Sequence, residues 1–322
     1  MTPKQKTAPH ISVIMPVYNR EEFVGEAIES ILHQSYENFE LIIADDGSID
    51  GTAAIIHEYA GCDRRVRPYF FPHQGVPRVS NAASALAKGS LIARQDSDDI
   101  ALPDRLEKQY MWLQEKNIDI CGCQLAFFTG SKDEVKEDLK WQPQSHETII
   151  RSMLFGHPML TGTMMMRSDV CINNPFNETI DFIDTEWPMK MAIKYKMGNV
   201  PKFLLKVRRH ETNITTLKKD AFSKSVRKAR FRFFYHLYPN TPLPDYMAFT
   251  HLSNSAPMSN LWELERAGQW MVELANCQDE QLRKKMLKRW QGTCERSTNL
   301  GNKVEDIFRY YQDKMNGIAN QF

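Results

Sequence analysis

The sequence contains no long apolar segment, and this absence narrows the classes of protein that it can encode. Hydrophobic residues make up 42% of its 322 residues, but no apolar run approaches the roughly 20 residues that a membrane-spanning helix needs. The opening stretch, MTPKQKTAPH, has no apolar core of the secretory type. We therefore expect a cytoplasmic protein.

The net charge is close to zero, and the cysteines are widely spaced apart from Cys121 and Cys123. The formal net charge is +1, so the chain as a whole is not attracted to nucleic acid. The six cysteines include no C-x-x-C pair, which argues against a zinc or redox site of that kind. Cys121 and Cys123 alternate within IDICGCQLAFF, a pattern that favours a buried strand over a metal site.

The first 125 residues show a regular alternation of short apolar runs with helical patterns. The apolar runs predict strands at 11–17, 39–44, 66–71 and 90–94. Helical periodicity predicts the segments between them, at 21–34, 51–60, 78–89 and 103–116. Apolar strands that alternate with helices are typical of a mainly parallel sheet covered on both faces. We therefore predict an α/β, Rossmann-like fold.

The pattern loosens after residue 130 and becomes helical beyond residue 216. Helices are predicted near 219–237, 261–275, 279–291 and 303–315, and a proline-rich loop or boundary is predicted at 239–258. We expect an N-terminal tail (1–10), an α/β domain (11–216) and a helical C-terminal region (217–322).

Acidic and polar residues follow three of the predicted strands, in PVYN, DDGSID and DSDD. In open α/β sheets, ligands bind beyond the carboxyl ends of the strands, so these segments are expected at one edge. Asp96 and Asp98 form a short Asp-x-Asp, which suits Mg²⁺ or Mn²⁺ because these cations take one or two carboxylates and complete their shell with water and phosphate. Taken alone, the motif is weak, and Asp45 and Asp46 are better explained as caps of the following helix.

In combination and in order, these segments resemble the N-terminal half of glycosyltransferase family 2. The resemblance runs from ISVIMPVYNREEF through ELIIADDGSIDGT and DSDDIALPDRL, and continues in HPMLTGTMMMRSDV and in the segment 182–215. It implies the type A nucleotide-sugar transferase fold (GT-A), in which a sugar is transferred from a nucleoside diphosphate with inversion. On this interpretation 11–125 bind the nucleotide sugar and 126–216 hold the acceptor and the catalytic base.

The resemblance also assigns roles at the ends of the first two strands. Pro16, Val17 and Tyr18 would line the pocket for the nucleotide base, largely through backbone groups. Asp46 would accept a hydrogen bond from the N–H of a uracil ring, and Asp45 would support it.

A second set of implied roles concerns the diphosphate and the metal. Asp96 would face the ribose and the cation, and Asp98 would bind Mn²⁺ or Mg²⁺ directly, while Asp99 would orient the loop. His210 would approach the metal or the leaving group, with loop hydrogen bonding as the alternative. Arg78 would reach the nucleotide or diphosphate, and the alternative is a solvated helix residue.

An inverting transfer needs a carboxylate to take the proton of the acceptor hydroxyl. In the family this is an Asp at the start of a helix, and IDTEW aligns Asp184 with it. Ile183 replaces the acidic neighbour that is common in the family, so the motif departs from its usual form. Glu186 is the second candidate and Asp181 the third. A role for Asp184 as N-cap of a helix at 185–197 would be compatible with catalysis.

Basic residues outnumber acidic ones between Arg208 and Arg232, and the aromatic stretch FRFFYHLYP follows. A basic, aromatic helix can lie on an anionic membrane surface, so peripheral association with the inner face of the cytoplasmic membrane through 217–238 is one expectation. The alternative is a helix that packs its aromatic residues on the catalytic domain.

These features together predict an inverting, metal-dependent glycosyltransferase. The donor would be a UDP-sugar, with UDP-GlcNAc or UDP-Gal favoured, and the acceptor an oligosaccharide or lipid-linked saccharide of a bacterial surface glycan such as lipopolysaccharide, lipooligosaccharide or capsule. One alternative is an inactive nucleotide-sugar-binding or scaffold protein. Another is a nucleotidyltransferase on a similar sheet, although PVYNREEF is not a glycine-rich, basic phosphate loop.

Overall fold

The fold comes from a computed structural model that describes residues 10–129, 138–180, 182–213, 217–254, 256–277 and 279–319. The chain divides into two compact units. The described residues of Met1–Gln144 and Met159–Ser225 form the first, which we call the α/β unit, and those of Ser145–Pro158 and Val226–Phe322 form the second, the helical unit. The predicted assignment of 11–125 and 126–216 to donor and acceptor halves stays a prediction.

The α/β unit is built on one sheet. Its strands in chain order are β1 (Ile11–Val17), β2 (Phe39–Asp45), β3 (Val66–Phe70), β4 (Leu91–Arg94), β5 (Ile100–Ala101), β6 (Ile120–Phe128), β7 (Asp138–Lys140), β8 (Met165–Arg167) and β9 (Met197–Arg208). Within the described residues the strand order is β3-β2-β1-β4-β8-β6-β9-β5, and β7 pairs with β6. The first four strands pair in parallel, and β6 pairs in parallel with β9. The other pairings are antiparallel.

Helices cover the faces of this sheet because β1, β2 and β4 are mainly apolar and are buried along their whole length. The helices of the unit are α1 (Val24–Leu32), α2 (Thr52–Cys62), α3 (Val76–Ala85), α4 (Arg105–Lys116), α6 (Ser168–Ile172) and α7 (Ile183–Lys194). Helix α1 shows how the pattern works, because Ala27, Ile28 and Ile31 recur at helical spacing and all three are buried in the core. The predicted α/β fold of GT-A type is confirmed.

Helix α8 spans Lys219–Leu237, and its residues from Val226 onward belong to the helical unit. The other helices of that unit are α5 (His146–Met153), α9 (Leu243–Ser253), α10 (Leu261–Ala275), α11 (Glu280–Arg296) and α12 (Lys303–Ala319). Helices α10 and α12 approach closely at Gly268, where an added Cβ would collide with the ring of Tyr311. In the parts of the chain that the structure describes, no helix combines the length and the apolar character that crossing a membrane requires.

Two element predictions are wrong. The predicted loop at 239–258 contains helix α9, whose N-cap is Pro242 and whose first turn holds Pro244; proline is tolerated there because the first N–H groups of a helix have no intrahelical partner. The helix predicted at 185–197 spans Ile183–Lys194 instead, and β9 begins at Met197.

Candidate active site

The loops after β1 and β2 are tied together at the carboxyl edge of the sheet. Asn19 has a positive φ of 48°, and this conformation lets its backbone N–H donate to Ser48 Oγ (2.9 Å) and its side chain accept from the backbone of Ile49 (2.9 Å). Asp45 also accepts from Ser48 Oγ, at 2.5 Å. The two predicted donor segments, PVYN and DDGSID, therefore lie side by side.

Asp46 is buried and anchors the loop that precedes α3. Its two carboxylate oxygens accept from the backbone N–H groups of Gln74 (2.8 Å) and Gly75 (2.9 Å), and His73 Nδ1 lies 3.0 Å from Oδ2. Gly47 makes this approach possible, since its φ is +74° and an added Cβ would meet the backbone of His73. The anchoring role was not predicted. A carboxylate oxygen accepts more than one hydrogen bond, so the uracil contact of Asp46 stays a prediction.

An aromatic platform stands next to this loop. The rings of Tyr18 and His73 stack with centroids 4.1 Å apart at 24°, and the imidazole is more than half exposed. Pro16 and Val17 are buried in the last positions of β1, so Tyr18 is the first residue of that segment with an accessible side chain. This geometry suits a flat nucleotide base.

Asp96 follows β4 and lies directly against the turn Thr161–Thr163, which we call the TGT turn. A Cβ added to Gly162 would collide with the Asp96 carboxylate, so a larger residue at this position would force that side chain to move. Burial, with the neighbouring charges of Asp184 and Asp98, raises the pKa of Asp96 to about 7. These three carboxylates therefore lie close enough to interact.

The TGT turn also binds the side chain of Asp184. Thr161 donates to Asp184 Oδ1 twice, from its backbone N–H at 2.6 Å and from its hydroxyl at 2.5 Å. Asp184 is in the first turn of α7, whose N-cap is Phe182, so the suggested N-cap role is wrong because the carboxylate bonds the TGT turn instead. Glu186 is half-buried and accepts from Asn177 Nδ2 at 3.4 Å. Asp181 lies outside the described residues.

Arg94, the last residue of β4, is a fully buried cation near these acids. Its Nη2 donates to Ser80 Oγ (3.2 Å) and its guanidinium lies 5.4 Å from the centre of the Phe176 ring. Its Nε and Nη1 have no hydrogen-bond partner among the described residues. Burial lowers the pKa of Arg94, while the charges of Asp96 and Asp184 raise it. The guanidinium is therefore held mainly by electrostatics.

Arg105, the first residue of α4, fixes the TGT turn to the sheet. It is fully buried, and its Nη2 donates to the carbonyl oxygens of Arg94 (2.6 Å) and Gly162 (2.9 Å). Nη1 donates to Gln95 Oε1 at 2.6 Å and Nε to Gln109 Oε1 at 3.0 Å. The Arg105 side chain thus joins β4, α4 and the TGT turn, which contacts both Asp96 and Asp184.

Asp98 faces a different set of partners. Its Oδ2 lies 3.0 Å from His210 Nε2 and 3.3 Å from Arg20 Nε. Asp99 is buried and accepts from the backbone N–H of Arg208 at 2.9 Å, which supports the loop-orienting role predicted for it. Burial raises the pKa of Asp99 well above its usual range, and the charge of Asp98 adds to the shift.

The oxygen and nitrogen atoms of the site suit a hard divalent cation that takes most of its ligands from phosphate and water. In the described ranges, no three His, Cys, Asp or Glu side chains form a ready-made metal site, so Asp96, Asp98 and His210 are not assembled as a three-ligand set. Mg²⁺ and Mn²⁺ need only one or two carboxylates when phosphate and water supply the rest. Burial, together with the charges of Asp184 and Asp98, raises the pKa of Asp96, and a bound cation would favour its ionised form.

Arg78 forms an ion pair at the surface. Its Nε is 3.4 Å from Glu178 Oε2, and both side chains are about half exposed. This surface ion pair matches the alternative of a solvated helix residue, and the predicted contact with the donor stays a prediction.

Sequence reasoning missed the TGT turn, Arg94 and His73. The signal for the turn was a glycine between two threonines in a segment whose residues are buried. The roles of Arg94 and His73 depend on contacts between segments far apart in the chain, and no local pattern indicates them.

The sequence profile of the family described as "Glycosyl transferase family 2" matches residues 12–173, half of the chain. The matched range includes all but the first residue of β1, the Asp-x-Asp and the TGT turn. The chain belongs to this family and is a glycosyltransferase. An uncharacterized glycosyltransferase of Haemophilus influenzae is 28% identical over 236 residues, which are 70% of this chain and 73% of that protein. The O-antigen biosynthesis glycosyltransferase WbnJ of Escherichia coli is 36% identical over 163 residues, which are 50% of this chain and 63% of WbnJ.

Solved structures share the fold along nearly the whole chain. Residues 1–349 of TarS from S. aureus, in complex with UDP-GlcNAc, superpose with a TM-score of 0.58 at 17% identity, covering 97% of this chain and 90% of that one. The mannosyltransferase PcManGT from Pyrobaculum calidifontis, in complex with GDP-Man and Mn²⁺, gives a TM-score of 0.54 at 16% identity, covering 98% and 87%.

Proposed function

We propose that this glycosyltransferase is an inverting, metal-dependent enzyme that transfers a sugar from a UDP-sugar, with UDP-GlcNAc or UDP-Gal favoured, to a saccharide acceptor of a bacterial surface glycan. The observation that carries the proposal is that Asp184 and Asp96 both contact the TGT turn. The proposed base and a carboxylate suited to a metal are therefore positioned by the same turn.

Asp184 is the proposed general base. The two hydrogen bonds from Thr161 to one oxygen fix the orientation of the carboxylate, which is half-buried. In that position it would take the proton of the acceptor hydroxyl as the oxygen attacks the anomeric carbon. General-base assistance of this kind contributes roughly 10²- to 10⁴-fold to the rate.

The proposed cation would be held by Asp98, with Asp96 and His210 Nε2 beside it. When bound, Mn²⁺ or Mg²⁺ neutralises the charge that develops on the departing nucleoside diphosphate. The role of this chain's residues is to position the carboxylates that would hold the cation. Arg105 fixes the turn beside Asp96, and the backbone of Arg208 orients the Asp98–Asp99 loop through Asp99.

The donor side would be formed by Tyr18, His73, Asp45 and Asp46. The platform of Tyr18 and His73 offers a flat surface for a base. The fold accepts more than one nucleotide, since TarS is in complex with UDP-GlcNAc and PcManGT with GDP-Man. The preference for UDP therefore rests on the resemblance of the motifs, and the name of WbnJ supports a surface-glycan pathway.

The basic residues of α8 bear on membrane association. The aromatic residues in the second half of α8 contact other rings of the helical unit, where Phe234 stacks on Phe249 (4.2 Å between centroids) and Phe231 lies edge-on to Tyr246 (4.6 Å). Many of the basic side chains of α8 are exposed instead. We propose a peripheral, salt-sensitive contact through 217–238, in keeping with a cytoplasmic enzyme. Flotation with anionic liposomes at low and high salt tests this, and binding that salt does not change would contradict it.

A panel of nucleotide sugars tests the catalytic proposal without knowledge of the acceptor. Hydrolysis of a UDP-sugar in the presence of Mn²⁺, and its loss in EDTA, is the expected result. Donor binding without any turnover would favour the alternative of an inactive nucleotide-sugar-binding protein.

A further inference from the structure

The helical unit carries a pocket that the proposed reaction does not use. Its volume is about 490 Å³, and its lining comes from the connection between α8 and α9, the first turn of α9 and the middle of α10. The lining residues are Tyr238, Pro239, Asn240, Thr241, Pro242, Asp245, Arg266, Gln269, Trp270 and Glu273. A cavity of this size falls within the range of small-molecule sites, roughly 300–1,000 Å³.

Two aromatic rings form a corner of this pocket. The rings of Tyr238 and Trp270 meet with centroids 4.9 Å apart at 72°. Phe234 packs behind both of them, at 5.2 Å from Tyr238 and 5.1 Å from Trp270, so the corner is rigid. Both lining rings are partly exposed. A rigid aromatic wall of this kind offers an apolar face with polar atoms at its edges, which matches the C–H face of a pyranose ring.

A fixed polar pair stands beside the aromatic corner. The side chain of Asp245 is only 8% exposed, and Arg266 binds it in a two-pronged manner, with Nη2 donating to Oδ2 at 2.8 Å and Nε donating to Oδ1. Arg266 Nη1 donates to Gln269 Oε1 at 2.7 Å. These bonds hold the amide group of Gln269 in a defined direction at the pocket edge.

The rim combines hydrogen-bond donors and acceptors without excess positive charge. Asn240, Gln269 and Glu273 are exposed, and an amide or carboxylate plane can bond two neighbouring hydroxyl groups. Among the described lining residues the one cation, Arg266, is paired with Asp245, and Glu273 adds a negative charge. Arg151, next to the lining, donates to the backbone oxygen of Glu273 and pairs with Glu147. Both cations are therefore already bonded, and the lining favours an uncharged, hydroxyl-rich ligand over an anion.

We propose that this pocket binds an uncharged saccharide unit, and that the helical unit therefore has a sugar-binding site of its own. The pyranose would lie against Trp270 and Tyr238, with its hydroxyl groups bonded by Asn240, Gln269 and Glu273. Only the assignment of this saccharide to the acceptor glycan rests on the proposed function; the binding itself does not.

Saturation-transfer NMR on the full chain tests the site directly. The probes are glucose, galactose, N-acetylglucosamine and their neutral disaccharides, without nucleotide or metal. We expect binding by wild type and at least a tenfold weaker affinity for Trp270→Ala and for Glu273→Ala. Glu273 is exposed, so its variant keeps the test valid even if loss of Trp270 unfolds the unit. The matched controls, Tyr310→Ala and Glu265→Ala, change exposed residues of the same unit outside the pocket and should bind like wild type.

Two results would overturn the proposal. One is that no sugar of the panel binds, and the other is that both pocket variants bind as tightly as wild type. Hydrolysis of UDP-sugars by wild type is measured in parallel. Hydrolysis without saccharide binding removes the pocket proposal alone. Saccharide binding that the pocket variants lose, without hydrolysis by wild type, supports the pocket and removes the catalytic proposal.

Discussion

Asp96 and Asp184 are supported by adjacent residues of one turn, although 88 positions separate them in the sequence. Thr161 donates two hydrogen bonds to Asp184, and Asp96 packs against the Cα of Gly162. Because the turn is fixed by Arg105, a displacement at Gly162 would change the position of one acid relative to the other. The TGT turn is therefore the part of the site most sensitive to small changes.

Gly162→Ala should inactivate the enzyme without unfolding it. The new methyl group would collide with the Asp96 carboxylate and displace it, and a displacement of about 1 Å at a reacting centre can cost on the order of 100-fold in rate. The measurement is sugar transfer or donor hydrolysis, with circular dichroism as the check on folding. Gly61→Ala, where an added Cβ meets nothing within 4 Å, is the matched control. Equal activity of the two variants would mean that the turn does not position Asp96.

Asp184→Asn should lower turnover by roughly 10²- to 10⁴-fold, the usual contribution of a general base, while donor affinity changes little. The amide keeps the shape of the carboxylate but cannot take a proton. Glu186→Gln, in the same helix, should retain most of the activity. The assignment would be reversed if Glu186→Gln lost activity and Asp184→Asn kept it.

Removal of divalent metal should abolish turnover, and adding Mn²⁺ to the apo protein should raise its melting temperature. A ligand at 100 times its Kd stabilises the folded state by about 2.7 kcal/mol. Asp98→Asn should reduce this rise, whereas Asp313→Asn, in helix α12, should not. An identical metal-induced shift in wild type and Asp98→Asn would place the cation elsewhere.

Arg94→Met should lower stability and change the pH dependence of activity. The substitution removes a buried positive charge that acts on the Asp96 carboxylate, and removing one partner of a buried charge pair typically costs about 3–5 kcal/mol. The positive charge of Arg94 lowers the pKa of Asp96, so its loss should raise that pKa above the present value of about 7. Asp96 would then ionise only at higher pH, and the pH–rate profile should shift upward. Arg94→Lys should restore part of the activity at neutral pH, and a profile that does not move would contradict the electrostatic role.

Thiol reagents should distinguish Cys62 from the other five cysteines. Cys62 is exposed and the others are buried. Burial raises the pKa of Cys123 to about 11 and that of Cys294 to about 12, so both thiols stay protonated and unreactive at pH 8. Native protein should therefore take up one label, and Cys62→Ser should take up none. Rapid labelling at Cys123 would contradict its place in the core of the sheet.

The predicted sheet and the observed sheet agree where the signal is local. Strands β1 to β4 are mainly apolar runs between segments with helical periodicity, and a short window contains enough residues to identify them. Strands β5 and β8 have two and three residues, too few to show a pattern, and only pairing with distant strands creates them. Helix α9 was missed because Pro242 and Pro244 indicate a loop unless they fall at a helix start.

In the site, too, local motifs could be predicted from the sequence and contacts between distant segments could not. Asp96, Asp98 and Asp184 were predicted because short motifs place acids after a strand and at a helix start. The hydrogen bonds from Thr161 to Asp184 and the packing of Asp96 on Gly162 join segments 23 and more residues apart. Such contacts arise from the folded sheet, so no window of sequence contains them.

The central claim is single displacement at the anomeric carbon, promoted by Asp184 beside a metal-bound diphosphate. The direct test is proton NMR of the sugar first released from an α-linked UDP-sugar by wild-type enzyme with Mn²⁺, recorded before mutarotation. The account predicts the β-anomer, because attack comes from the face opposite the diphosphate. Release of the α-anomer would contradict it.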